Sequence, residues 1–356
     1  MNESILSRRK REILRDLVRE YVRTGKPVGS RRLAVLNRES LSSASIRTVV
    51  AGLEREGFLS QPHTSAGRVP TAKGYSLYVN SLIRLRELSG FDVDWIRSVL
   101  EAEADPGHLM KRVSQILASL SDHVGIVVAP PMSLDPIRQI EFLKLSPHRV
   151  LAILVSTTGQ VAHRLIRVED AFHQRELDAA GKYLTINYAG ETLPQIRTDL
   201  VRLMSEEKVR YNRLLSSVIV LGSASLMADS SAESDVYLGG TTTMIENIGE
   251  CDLDLLTVLF QAFEQKNRLV KIVNACISQE EFGTRVTIGL EDHFPGGRDF
   301  SLISSSYDWG AGRGTLSVLG PRRMEYEKSI SVVDHVAKLC CQLMTSGGSQ
   351  GAVAGE

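Results

Sequence analysis

Three short amphipathic helix patterns, followed by a strand–loop–strand pattern, occupy the first 71 residues and constrain the fold more than any other feature of the sequence. Apolar residues recur in them at i, i+3, i+4 and i+7, a spacing that places them on one face of a helix. The clearest sets are Leu14, Leu17, Val18 and Tyr21 in the first helix, and Ile46, Val49, Val50 and Leu53 in the third. The first set predicts a helix over about residues 8–24.

Serine and threonine residues stand where these helices should begin. Ser7, Ser30 and Ser42 are positioned as N-caps, and Gly25-Lys26-Pro27 ends the first helix. Thr71 is expected to cap a fourth helix, whose inward residues are Tyr75, Tyr78, Val79, Leu82 and Leu85. The end of that helix, at Ser89-Gly90, predicts the border of a first domain that covers residues 1–89.

The third helix carries an unusual polar face. Opposite its apolar residues lie Ala44, Thr48, Ala51 and Arg55, with Arg47 on the flank and Ser43 and Ser45 in the first turn. Small residues, hydroxyls and an arginine allow a helix to approach base-pair edges closely and to donate hydrogen bonds to them. Two short helices followed by such a helix predict a helix-turn-helix, with the third helix in the major groove of DNA.

The stretch QPHTSAGRVPT, residues 61–71, predicts a wing after this helix. Residues 58–60 and 68–70 are expected to pair as short strands, and Gly67 to take the positive φ of a tight tip. His63, Ser65 and Arg68 are donors suited to phosphate or to a minor groove, although His63 could instead brace the ribbon. The predicted DNA-binding residues are therefore Ser43, Ser45, Arg47, Thr48, His63, Ser65 and Arg68.

The net charge of the chain is zero, but its distribution is uneven. Residues 1–86 contain 17 Lys and Arg against 7 Asp and Glu, a net charge of +10, and the remaining residues carry the balancing −10. A basic head on an acidic body indicates a polyanion-binding unit. Nucleic acid is the favoured partner, although a ribosome or a membrane surface would also attract a basic patch.

The remaining sequence predicts a sheet domain interrupted by a helical insert. Strand patterns cover residues 124–129, 137–145, 150–156, 160–168, 285–290, 300–306 and 314–318. Helix patterns cover 107–120, 193–215, 253–273 and 331–344. The predicted boundaries are 105–172 and 251–345 for the two segments of the sheet domain, 173–250 for the insert and 346–356 for a disordered tail. The fold class is thus α+β and multidomain.

No catalytic, cofactor-binding or metal-binding pattern is recognisable. Gly310, Gly312 and Gly314 lead into a strand and lack the lysine and hydroxyl of a P-loop, so a hairpin or loop is favoured. The eight histidines lack metal-ligand spacing, and the four cysteines are expected to be reduced and mostly buried. No enzymatic activity, cofactor or metal is therefore expected.

Hydropathy and the N-terminal charges bear on location. No apolar run approaches the roughly 18 residues that a membrane span requires. The first residues, MNESILSRRKREIL, carry charges where a signal peptide has its apolar stretch. A cytoplasmic protein without membrane contact is therefore expected.

Several stretches also match a known family. They are RKREILRDLVREYVRTGKPVGSRRLA, SASIR, LEREGFL and QPHTSAGRVPTAKGYSLYV in the head, with RVTIGLED and GRGTLSVLGPRRMEYEKSISVVDHVA in the body. Through them the chain resembles the HrcA family of bacterial heat-inducible transcription repressors. Thr48 departs from the family, which usually has Asn at this position, and Val50 stands where the family usually has Met.

The resemblance implies a winged helix-turn-helix head on a GAF-like α/β domain that carries an inserted dimerisation domain. It implies a homodimeric repressor that binds an inverted-repeat operator upstream of chaperonin and other heat-shock operons. Heat would release the repressor, and the chaperonin GroEL would restore its active form. A second function stays open, in which the GAF-like domain holds a small molecule that releases the head from DNA.

Overall fold

The computed structural model describes residues 6–36, 42–63, 66–83, 85–103, 105–204, 213–227, 235–241, 266–276, 283–293, 296–309 and 312–347. Helices and strands are mixed along the chain, as the sequence predicts. The head contains α1 (Arg8–Thr24), α2 (Ser30–Leu36), α3 (Ser43–Arg55), β1 (Leu59–Ser60), β2 (Val69–Pro70) and α4 (Ala72–Leu77). The predicted apolar faces of α1 and α3 are buried in one cluster.

The helix starts confirm two predicted caps and correct two others. Ser42 Oγ accepts a hydrogen bond from the Ser45 amide at 3.2 Å, and Thr71 Oγ1 accepts one from the Gly74 amide at 3.2 Å. Ser7 occupies the cap position of α1, but its side chain makes no capping bond. Ser30 is the first helical residue of α2, because the carbonyl before it already accepts the first bonds of that helix.

The fourth helix is shorter than predicted. After α4 the chain makes a π-helical turn over Tyr78–Leu82, and the Ile83 amide donates to the Tyr78 carbonyl at 2.8 Å. Ile83 then adopts an extended conformation. Leu85, predicted to face inward, is consequently 56% exposed.

The body continues in chain order. Its elements are α5 (Gly90–Glu101), α6 (Pro106–Ser121), β3 (Val124–Val128), β4 (Ile137–Ser146), β5 (Arg149–Ser156), β6 (Val161–Arg167), α7 (Gln174–Tyr188), α8 (Leu193–Met204), α9 (Arg213–Met227), β7 (Val236–Gly239), α10 (Lys266–Cys276), β8 (Arg285–Ile288), β9 (Phe300–Trp309), β10 (Gly312–Pro321) and α11 (Tyr326–Gly347). Among the described helices none is long and apolar enough to cross a bilayer.

A five-stranded antiparallel sheet forms the centre of the body, with the strand order β7-β3-β10-β9-β8. Helices α6 and α11 pack on one face, and α10 packs on the other. The pairing of Trp309 with Gly312 joins β9 to β10, which confirms the hairpin predicted for the glycine-rich stretch; Gly310 itself lies outside the described residues.

Strands β4, β5 and β6 form a separate antiparallel sheet, covered by α7, α8 and α9 in a core of its own. The chain leaves the central sheet after β3 and returns to it as β7, which pairs directly with β3. Strands β4–β6 and helices α7–α9 therefore form an inserted unit between two paired strands of the central sheet, and the boundaries 173–250 predicted for an insert stay a prediction. Alternating hydropathy predicts strands but does not reveal which sheet they join.

Some predicted segments fall outside the described residues. These are most of the helical pattern over 253–273 and most of the predicted tail. Within that tail, residues 346 and 347 belong to α11, so the helix extends slightly further than its sequence pattern predicts.

Candidate nucleic-acid interface

Helix α3 presents one apolar face and one face of mostly small, polar residues. Ile46, Val50 and Leu53 are buried in the core of the head. The opposite side exposes Ser43, Ala44, Ser45, Arg47, Thr48, Ala51 and Arg55. Because most of these side chains are short, a DNA duplex could approach the helix backbone closely.

Two hydroxyls on this face are held by the helix itself. Thr48 Oγ1 donates to the Ala44 carbonyl at 3.3 Å, and Ser45 Oγ lies 3.0 Å from Ser42 Oγ. Arg47 differs from both, since its side chain makes no hydrogen bond or ion pair with another described residue. Its guanidinium is therefore available for a ligand that lies along the exposed face of α3.

The strand–loop–strand pattern forms the predicted two-stranded ribbon. Leu59 pairs with Pro70, and Ser60 pairs with Val69. At the turn the Ala66 amide donates to the His63 carbonyl at 2.8 Å, and the His63 side chain is exposed. Ser65 lies outside the described residues, so its predicted role stays a prediction.

Gly67 shapes the ribbon in a different way from the one predicted. Its φ does not lie in the positive range. Instead, a Cβ atom at this position would lie 2.5 Å from the carbonyl carbon of Val28 and 2.8 Å from that of Pro27. Glycine is required because the ribbon backbone lies against the segment before α2, where Val28 and Arg68 exchange two backbone hydrogen bonds of 2.9 Å.

Replacing Gly67 with alanine is expected to lower the free energy of unfolding by at least about 1 kcal/mol, because the added methyl overlaps backbone atoms. Urea unfolding followed by circular dichroism measures the change. Gly90→Ala in the first turn of α5 is the matched control, since nothing lies within 4 Å of a Cβ there. Equal stability of the two variants would contradict this packing role.

Arg68 forms an ion pair with another residue of the head. Its Nε donates to Glu54 Oε2 at 2.8 Å, and the two side chains are 22% and 31% exposed. The ion pair ties the ribbon to α3. The other N–H groups of the Arg68 guanidinium have no partner among the described residues, so the predicted phosphate contact stays a prediction.

Part of the positive charge of the head is neutralised locally. Glu20 is 8% exposed and accepts hydrogen bonds from Arg23 Nη2 at 2.7 Å and Arg32 Nε at 2.9 Å. These bonds, first that from Arg23 and then that from Arg32, lower the pKa of Glu20 below its ordinary value. The contact ties α1 to α2, and two of the 17 basic side chains of the head are held by a carboxylate that the net +10 already counts.

The chain is similar to known proteins over nearly its whole length. The family model of the HrcA protein C-terminal domain matches residues 107–330. The heat-inducible transcription repressor HrcA of Geobacter sulfurreducens is 38% identical over 341 residues, which cover 95% of this chain and 98% of that protein. The repressor of the same name from Syntrophobacter fumaroxidans is 34% identical, with 97% and 99% covered.

A solved structure has the same fold. The crystal structure of a hypothetical protein superposes with a TM-score of 0.63 at 21% identity, over 96% of this chain and 99% of that one. This likeness concerns the fold alone. The family match and the near full-length relatives together show that the chain belongs to the HrcA family of heat-inducible transcription repressors.

Proposed function

We propose that this protein represses heat-shock genes by binding their operators through its N-terminal head. Relatives at this identity are heat-inducible transcription repressors, which are not enzymes. The observation that carries the proposal is the exposed face of α3, where small residues surround Arg47, which has no side-chain partner among the described residues of a basic head. The three helices and the β1–β2 ribbon would form a winged helix-turn-helix.

In this arrangement α3 enters the major groove. Ser43, Ser45, Arg47 and Thr48 then face base edges, where an arginine donates two hydrogen bonds to guanine. The ribbon lies over the adjacent backbone, so that His63, Ser65 and Arg68 contact phosphate or the minor groove. Phosphate contacts supply much of the affinity, which should therefore fall steeply with salt concentration.

We further propose that the protein acts as a homodimer joined through the inserted unit. The outer face of its sheet carries an apolar row: Leu143, Leu151 and Leu165 are directly aligned across the three strands. Leu143 is 48% exposed and Leu165 is 53% exposed. An aligned apolar face of this kind supports a protein–protein interface. Two GAF-like bodies joined there would each present one head to one half of an inverted repeat.

Placing a carboxylate on this face tests the dimer. Leu165→Asp is expected to raise the dimer dissociation constant at least about tenfold, because the interface would bury an unpaired charge. Sedimentation equilibrium measures the constant. Val201→Asp is the matched control, since Val201 is equally exposed, at 50%, but lies on α8. A dissociation constant unchanged by Leu165→Asp would exclude this face as the interface.

Footprinting on the promoter of the chaperonin operon tests the function as a whole. Protection of an inverted repeat is expected at low temperature and low salt, and it should weaken on heating and at higher salt. Addition of GroEL with ATP after heating should restore protection. Such a regulator acts where the chromosome lies, in the cytoplasm. The absence of any footprint at low salt would overturn the proposal.

A second candidate function is a small-molecule sensor. A groove of about 900 Å³ lies between head and body, and its lining includes Tyr21, Tyr75, Lys73, Arg298 and Arg323. The alternative predicted from sequence puts the ligand in the GAF-like domain, and this groove lies at the border of that domain. A metabolite that raises the melting temperature and abolishes operator binding would favour the sensor over release by heat alone.

A further inference from the structure

Head and body share one apolar core. A continuous cluster of buried residues runs from the helices of the head to α6, the central sheet and α11. At the boundary, Tyr75 of α4 packs beside Tyr326 of α11, with ring centroids 5.9 Å apart. Domains joined only by a linker move independently by default. The shared core instead gives the head a defined orientation on the body.

Glu327 adds a polar contact to this boundary. It lies in the first turn of α11, where the helix dipole favours a negative charge. Its Oε1 accepts hydrogen bonds from Arg19 Nε at 2.8 Å and Arg19 Nη2 at 2.7 Å, and from the Tyr78 hydroxyl at 2.7 Å. Both donors belong to the head. One carboxylate oxygen of the body therefore connects α1 with the turn that follows α4.

The Tyr78 hydroxyl is buried and donates a hydrogen bond to the Glu327 carboxylate. Its side chain is 3% exposed, and burial first, then the hydrogen bond to Glu327, raise the pKa of the phenol above its ordinary value. The phenol therefore stays protonated and donates to the carboxylate. Removing the acceptor would leave a buried hydroxyl without its partner, which disfavours the observed docking of the head.

A second contact lies at the end of the same helix. Gly25 ends α1 in a left-handed conformation with φ 68°, and a Cβ atom there would collide with the guanidinium of Arg323. A cation at this position faces the negative end of the dipole of α1. Arg19 and Gly25 are six residues apart, so the body contacts this helix and its C-cap at two separate points.

We propose that Glu327 is a positioning residue that fixes the orientation of the head, and with it the half-site spacing that the repressor accepts. The inference rests on the proposed function, a dimer with one head on each half-site. In such a dimer the separation of the heads is defined only if each is held rigidly on its body. One extra base pair moves a half-site by about 3.4 Å and rotates it by about 35°, so a fixed head discriminates between spacings.

The test measures binding to the footprinted inverted repeat with its spacer changed in steps of one base pair. The unmodified protein should prefer one spacer over its neighbours by at least about tenfold in dissociation constant. In Glu327→Gln the preference should fall to within about threefold, because the neutral amide loses the ion pair with Arg19 and the head turns more freely. Binding to a single half-site should stay unchanged, since Glu327 lies outside the face of α3. Tyr78→Phe should change the spacer profile in the same direction.

Glu325→Gln is the matched control, because Glu325 is exposed on the turn just before α11 and loses the same charge. It should keep the spacer preference of the unmodified protein. Thermal melting of each variant shows whether it is folded. If Glu327→Gln does not fold, the spacer profile of Tyr78→Phe provides the test. A folded Glu327→Gln with the unmodified spacer profile would overturn the positioning role alone. Failure of the unmodified protein to bind any inverted repeat would overturn the proposed function as well.

Discussion

Replacing Arg47 with alanine is expected to weaken specific operator binding by about 1–3 kcal/mol, up to roughly 150-fold in dissociation constant. Arg47 is exposed on α3 and has no partner among the described residues, so the substitution removes no internal bond. A guanidinium that donates two hydrogen bonds to a base stabilises the complex with the operator, and it does not stabilise a complex with random DNA to the same extent. Titrations of operator and random duplexes at one fixed salt concentration measure the difference.

Two outcomes of this experiment separate the possible roles of Arg47. A loss of affinity for the operator alone would show that Arg47 contacts a base edge. An equal loss of affinity for both duplexes, with a shallower dependence of affinity on salt, would show that Arg47 binds phosphate. That result would contradict the predicted base contact. Arg112→Ala removes an exposed arginine from α6, outside the head and outside the proposed dimer face, and should change neither affinity.

The protein is expected to lose about 3 kcal/mol of unfolding free energy between pH 6.5 and pH 4 through His123 alone. Burial lowers the pKa of His123 from 6.5 to about 4, and its Nδ1 is buried without a hydrogen-bond partner among the described residues. The folded protein therefore keeps this ring neutral. As the pH falls below 6.5 the unfolded chain binds a proton that the folded protein does not, so acid favours unfolding.

Urea unfolding at pH 7 and pH 4.5 measures this contribution. His123→Gln should lose less stability between the two pH values than the unmodified protein, because glutamine does not titrate. His148→Gln, which changes an exposed histidine, should behave like the unmodified protein. If His123→Gln and the unmodified protein lose equal stability, the ring is protonated in the folded state and the inference from its burial is wrong.

Local pattern predicted most of the head. The spacing of Ile46, Val50 and Leu53 identified the buried face of α3 and so its exposed face, because a helix repeats every 3.6 residues whatever lies around it. Ser42 and Thr71 were predicted as caps for the same reason, since a cap depends on residues three positions away. The candidate DNA-binding residues of α3 follow from these local rules.

Local patterns do not predict contacts between segments that are distant in sequence. Gly67 was predicted to serve a tight tip, whereas it accommodates the backbone of residues 27 and 28. Arg68 was predicted only as a DNA contact, whereas it also binds Glu54. The strands over 137–167 were predicted correctly, but their sheet is separate from the central one. Each difference involves a partner that lies far away in sequence or that is specified by no periodic pattern.

Most helices and strands, the charged head and the family are readable from the sequence, because they depend on local periodicity, on net charge and on long matching stretches. Which strands share a sheet and how the head packs on the body depend on long-range contacts in the folded chain. The bond from Arg19 to Glu327 joins residues 308 positions apart. No local pattern specifies such a contact, since it forms only when the packing of the whole chain brings the two side chains together.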